Sequence, residues 1–151
     1  MIDLEKAKKI LTENGYTCVL CKKEKSYTSI QRGVRPLVEW LESSNDLTGF
    51  SAADRVVGRG AAFLYVLLGV KAVYAHVISN AALEVLTAHN IAVEYDAAVE
   101  NIINRQGNGI CPFEGAVLGI INAQEAYVAI RQKMQEMGMA EGESINENSR
   151  Q

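Results

Sequence analysis

Gly49-Phe50-Ser51-Ala52-Ala53-Asp54-Arg55-Val56-Val57-Gly58-Arg59-Gly60, running on into Ala61-Ala62-Phe63-Leu64-Tyr65-Val66-Leu67-Leu68-Gly69, is the stretch on which the fold turns. Its spacing predicts one helix over residues 52–68. Ser51 stands at the N-cap and Asp54 at the third helical position, the pattern of a capping box. Arg55 and Arg59 then fall on one face. Between Gly60 and Val70 there is no charge, so that half of the helix must be wrapped by other elements. A central helix whose mouth carries Ser, Asp and two Arg is the expected floor of an anion-binding or catalytic cleft.

The totals bound what surrounds it. A chain of 151 residues is long enough for one domain with a sizeable core. The apolar fraction of 48% and charged fraction of 22% belong to an ordinary globular protein. With a net charge of −3 and no basic run, nothing favours binding to nucleic acid. The first residues lack a basic segment followed by an apolar run, and the longest uncharged stretch is far short of the roughly 20 residues a membrane span needs. Three cysteines, an odd number, read as reduced thiols, and the expected location is the cytoplasm.

Outward from the centre, Leu4, Ala7, Lys8, Ile10 and Leu11 keep a helical period that Asn14-Gly15 stops. Residues 16–22 and 26–29 read as a hairpin around Lys23-Glu24-Lys25. Gly33 and Pro36 set up a short helix through Trp40 and Leu41. Lys71 to Ile78 is an interior strand, Ser79 or Asn80 caps a helix, and Ile91 to Asp96 is a further strand, which makes a right-handed parallel crossover. A helical segment is expected over 97–104, before the turn-rich Arg105-Gln106-Gly107-Asn108-Gly109. Pro112 opens another helix and Asn122 caps a last one. Residues 1–137 are read as a single domain and 138–151 as a flexible tail.

Asp3-Leu4-Glu5-Lys6-Ala7, Asn14-Gly15-Tyr16-Thr17-Cys18-Val19, Gly33-Val34-Arg35-Pro36-Leu37, the Phe50 to Arg59 stretch and Asn104 to Glu114 together carry a resemblance. The chain resembles a small prokaryotic domain-of-unknown-function family with a cytidine-deaminase-like fold, over residues 3 to about 135. The resemblance implies a three-layer α/β/α sandwich with a mixed sheet of four to five strands. It also implies a departure, because active deaminases hold zinc with a His or Cys on the buried helix and two Cys at the next. Here Asp54-Arg55-Val56 stands where His-x-Glu is expected, and Ser79-Asn80-Ala81-Ala82-Leu83 where Pro-Cys-x-x-Cys is expected. The expectation is therefore a zinc-free protein with no metal and no cofactor.

Cys111 is the leading chemical candidate, since Pro112 suits the first helical position and an N-cap sulfur is favoured as thiolate. Glu114, at the third position, works against that. With Asp54 as acid or base, Cys111 makes up the expected catalytic pair. Ser51, Arg55, Gly58 and Arg59 are the expected binders of a small anionic or nucleotide-like ligand, with Asn104, Arg105 and Gly109 as a loop that closes over it. Simpler readings stand beside these: a cap with surface ion pairs, an ordinary thiol, a solvated connector. Cys18 and Cys21 spell C-x-x-C, yet a strand sends them to opposite faces, against a metal or redox role. His76 reads as a core histidine and His89 as a surface cation at a helix end. The alternative function is a non-catalytic sensor or interaction module, a homodimer with Trp40, Tyr65 or Tyr127 on its face.

Overall fold

In the computed structural model, which describes residues 2–104 and 106–138, the stretch from Ser51 to Val57 is a β-strand and the helix begins only at Arg59. The expected helix over 52–68 is thereby corrected, and with it the capping role of Ser51. The physical reason lies in the neighbours. Ala52 and Asp54 point to one face of the sheet and Ala53 and Arg55 to the other, and the strand is paired on both sides. A local capping box is worth about 1 kcal/mol. Pairing with β1 over Ser51 to Asp54 and with β4 along the strand satisfies buried backbone groups of the segment and outweighs it.

The chain runs α1 (Ile2–Glu13), β1 (Cys18–Lys22), β2 (Lys25–Ser29), α2 (Arg35–Glu42), β3 (Ser51–Val57), α3 (Arg59–Leu68), β4 (Ala72–Ser79), α4 (Asn80–Ala88), β5 (Ala92–Val99), α5 (Pro112–Ala116) and α6 (Ala123–Glu136). Its single open sheet has the order β2-β1-β3-β4-β5. β1 is antiparallel to both its neighbours, whereas β3, β4 and β5 are parallel. This is an α/β fold with a mixed five-stranded sheet.

Two cores follow from strand alternation. On one face Leu4, Ala7 and Leu11 of α1 pack on Val19, Cys21, Ala53, Ala72 and Tyr74. On the other, α3 lies over the sheet with Ala61 to Tyr65 all buried, wrapped by α2, α4 and α6. Of the two β3 alanines, Ala52 faces the α3 core and Ala53 the α1 core. Gly69, at φ 77°, ends α3 in the left-handed conformation that glycine takes without strain. Cys18 joins one core and Cys21 the other, so the C-x-x-C residues do face apart.

Further differences from the sequence reading are local. β5 continues through Val99 because Ala97, Ala98 and Val99 stay in register with Val77, Ile78 and Ser79. The helix expected over 97–104 is not formed. His76 is no core residue: its side chain is 61% exposed. Tyr65 is fully buried and offers no dimer face. Arg105 and residues 139–151 of the expected tail lie outside the described residues. Among the described residues no helix is long and apolar enough to cross a membrane.

Candidate functional site

The turn from β3 into α3 gathers the strongest constellation. Gly58 is the N-cap of α3, and no side chain on α3 satisfies its first N–H groups. Glu114, from the following α5, does so instead: its Oε2 accepts from the Gly60 N–H at 3.2 Å. A Cβ on Gly58 would stand 2.3 Å from that oxygen, so glycine is what leaves room for the carboxylate. Arg59 anchors the other side, its Nη1 donating to the Val117 carbonyl at 2.6 Å and its guanidinium lying 4.9 Å over the Phe63 ring. Burial pushes the Glu114 carboxyl above its ordinary range, while the Gly60 and Arg59 N–H groups and the Arg59 charge pull it back. An oxyanion thus occupies the helix mouth, and it belongs to the chain itself.

Cys111 is the N-cap of α5, as read, but α5 is only five residues long. Its backbone N–H donates to the Ile102 carbonyl at 2.9 Å. Among the described residues nothing hydrogen-bonds its sulfur.

Asp54 sits deeper, under the middle of α3. Tyr65 Oη donates to its Oδ2 at 2.7 Å, and Cys18 Sγ is 3.1 Å from the same hydroxyl. Cys18 and Asp54 are direct partners across β1 and β3. Because the hydroxyl proton goes to Asp54, the thiol is left to donate to the tyrosine oxygen, which makes a chain of three groups. Burial pushes Asp54 up to about 6, against Tyr65 and the Val56 and Arg55 N–H groups, which favour the ionised form. Burial likewise pushes the Tyr65 hydroxyl and the Cys18 thiol well up, so both stay protonated at neutral pH.

The remaining expected ligand residues are scattered. Ser51 is buried at the start of β3 with no hydrogen-bond partner for its hydroxyl among the described residues. Arg55 points to the opposite face from Arg59 and donates to the carbonyls of Leu11, Asn14 and Tyr16, where it caps α1. The shared face expected for the two arginines is therefore not formed, because a strand separates them. Asn104 and Gly109 close their own loop: Asn104 N–H donates to the Gly109 carbonyl at 2.8 Å, and the Asn104 and Asn108 side chains bond to one another. Arg105 is not described.

Sequence reasoning missed the seat of Glu114, the Tyr65 hydroxyl and one cluster on the open half of the other face. There Tyr74 Oη donates to Asp96 Oδ2 at 2.6 Å, and His76 Nδ1 lies 2.9 Å from the same oxygen. Lys8 pairs with Glu94 at 2.6 Å and stands 4.7 Å over the Tyr74 ring. The signal available for this cluster was alternation, since Tyr74 and His76 share a strand face. Among the described residues no group of three or more His, Cys, Asp or Glu is arranged to hold a metal ion.

A mixed five-stranded α/β sheet, with the Glu114 carboxylate seated at the start of the helix after the central strand, describes the class of fold. The chain belongs to the family described as "TM1506: Domain of unknown function (DUF1893)", whose model matches residues 6–134. It is similar to the crystal structure of a DUF1893 family protein, TM1506, from Thermotoga maritima. The two chains are 26% identical with a TM-score of 0.78, and the match covers 89% of this chain and 90% of that one. No match is found among curated proteins.

Proposed function

We propose that this is a cytoplasmic protein of cytidine-deaminase-like fold that binds a small anionic or nucleotide-like ligand at the β3–α3 turn. The fold assignment is supported by the strand order, with an antiparallel β1 inside it and parallel β3, β4 and β5 beyond. One observation carries the binding reading: the Glu114 carboxylate seated on the first turn of α3, beside the Arg59 guanidinium. The turn already coordinates an oxyanion, and a phosphate or carboxylate that displaced Glu114 would meet the same N–H groups. Since burial disfavours the charge on Glu114, its departure into water is assisted.

Thermal-shift titration with inorganic phosphate and with adenosine monophosphate tests this. Glu114→Ala vacates the seat and is expected to bind more tightly than wild type, whereas Arg59→Ala in that background is expected to abolish the shift. Equal shifts in all variants, or none in any, would remove the ligand from this turn. Cys111 stands on the same segment as Glu114 and remains the candidate nucleophile. An alkylation rate that does not change when phosphate is added would separate it from the ligand.

A second reading, a self-associating interaction module, is favoured by the exposure of Leu118, Ile121 and Val128 around the start of α6. Sedimentation of wild type against Ile121→Asp separates the two readings, because the anion titration is not expected to respond to that change.

A further inference from the structure

The two edges of the sheet are built differently. β2, at one edge, is five residues long and opens on Lys25. β5, at the other, keeps a constant register with β4 over eight residues and contains no Lys or Pro, residues that commonly blunt an edge. Among the described residues no backbone bond reaches the outer row of its N–H and C=O groups. Six of its eight residues are exposed, so the strand stands clear on both faces.

The charge on this edge says what fits it. Glu94 and Asp96 share the α1 face of the sheet, and Tyr95 between them, 42% exposed, faces the α4 side. The groups that meet these carboxylates, Lys8 at Glu94 and Tyr74 and His76 at Asp96, come from α1 and β4, on the covered side of the strand. Outward the edge is acidic, with exposed Glu100 just beyond its end. A second copy of the chain is therefore the wrong occupant. Across a two-fold axis, any register centred on these residues sets the two carboxylates against each other or against themselves, and like charges directly opposite are destabilising. We propose that the β5 edge takes up an extended segment of another protein as a further strand, one that carries Lys or Arg two residues apart with an apolar residue between. The two cations lie opposite Glu94 and Asp96, the apolar residue lies beside Tyr95, and main-chain bonds to the outer row supply the register.

The test is fluorescence anisotropy of a labelled peptide, fluorescein-TVKVKVT-amide, titrated with the full chain, beside a peptide with both lysines replaced by glutamate. Saturable binding of the lysine peptide is expected, weakened by added salt, with the glutamate peptide at least about tenfold weaker. Two further forms, N-methylated at the lysines or at the valines, each block one edge of the peptide. One should lose binding and the other keep it. Glu94→Gln combined with Asp96→Asn should weaken the lysine peptide by about tenfold, and Glu94→Lys combined with Asp96→Lys should reverse the preference between the peptides. Both side chains are about half exposed, so the Gln and Asn changes are expected to leave the protein folded, which its melting temperature verifies. No binding at about 1 mM protein, equal binding of the two peptides, binding that survives both methylations, or an unchanged affinity in the Gln and Asn variant would each overturn the proposal. A protein dimer that excludes the peptide would overturn it too, by giving the edge to a second copy. None of these outcomes bears on phosphate binding at the β3–α3 turn, which uses different residues.

Discussion

Asp54 beneath α3 and Asp96 beside α1 are built from the same parts on opposite faces of one sheet. Each accepts a tyrosine hydroxyl, at 2.7 Å from Tyr65 and 2.6 Å from Tyr74, and each has a third polar group within reach, Cys18 or His76. Their acidities nevertheless move in opposite directions. Burial pushes Asp54 up to about 6, although the Tyr65 hydroxyl and the Val56 and Arg55 N–H groups oppose it. Asp96 is held below the ordinary carboxylate range by the Tyr74 and His76 hydrogen bonds, because water reaches it and little desolvation opposes them. The same donor wins in water and loses in the core. Helix coverage, not the hydrogen-bond list, sets the chemistry of each carboxylate.

The largest expected effect breaks the comparison at Asp54. Its pKa is raised in the fold from 3.8 to about 6, so between those values the native state holds more protons than the unfolded chain. Stability from this group is therefore full below about pH 4 and lost as pH rises through about 6. The loss amounts to about 3 kcal/mol, at 1.36 kcal/mol per unit. Asp54→Asn keeps an acceptor for Tyr65 and removes the titration. Urea unfolding of both proteins from pH 4 to 8 is expected to show the variant gaining on wild type by about that amount. Parallel profiles would mean that Asp54 is not desolvated as described.

Next come the two tyrosines. Tyr65→Phe leaves a fully buried carboxylate without its hydroxyl donor and is expected to lose about 1–3 kcal/mol at neutral pH. It also leaves Cys18 without its partner. Tyr74→Phe removes a bond of nearly equal length from a carboxylate that water can reach. Here about 0.5–1 kcal/mol is expected, because solvent replaces the donor. Chemical denaturation measures both, and similar losses at the two sites would contradict the assignment of the difference to water.

How much of this could be read from the residues alone depended on how local the cause was. The Ser79 and Asn122 caps, the position of Cys111 before Pro112, the hairpin and the β4–α4–β5 crossover rest on near neighbours, and each is in the structure. The strand over Ser51 to Val57 is hidden from local reading, because Ser-Ala-Ala-Asp satisfies a helix cap locally, while the strand is imposed by β1 and β4. Alanine contributes little strand preference of its own, so alternation there gave a weak signal. The chemical contacts are longer in reach still. Glu114 meets Gly60 across 54 residues, and only the docking of α5 against α3 brings them together. Gly58 and Gly60 flanking Arg59 marked a close approach without naming what approached.

The smallest expected effect is the most pointed, because it concerns a sign. Asp96 is ionised more readily in the fold than in the unfolded chain, so the stability it contributes is present above the ordinary carboxylate range and lost as pH falls below it. Wild type should therefore lose ground to Asp96→Asn on acidification, whereas it loses ground to Asp54→Asn on going the other way. Exposure and salt screening keep the Asp96 difference small, and added salt should shrink it further. The Asp54 difference comes from a buried group, where salt screens little, and should hardly respond to salt. Profiles measured at low and high ionic strength for both variants separate a carboxylate governed by its partners from one governed by its burial. If both differences carried the same sign, the two faces of the sheet would not be electrostatically distinct, and the contrast between covered and open tyrosine–aspartate pairs would fail.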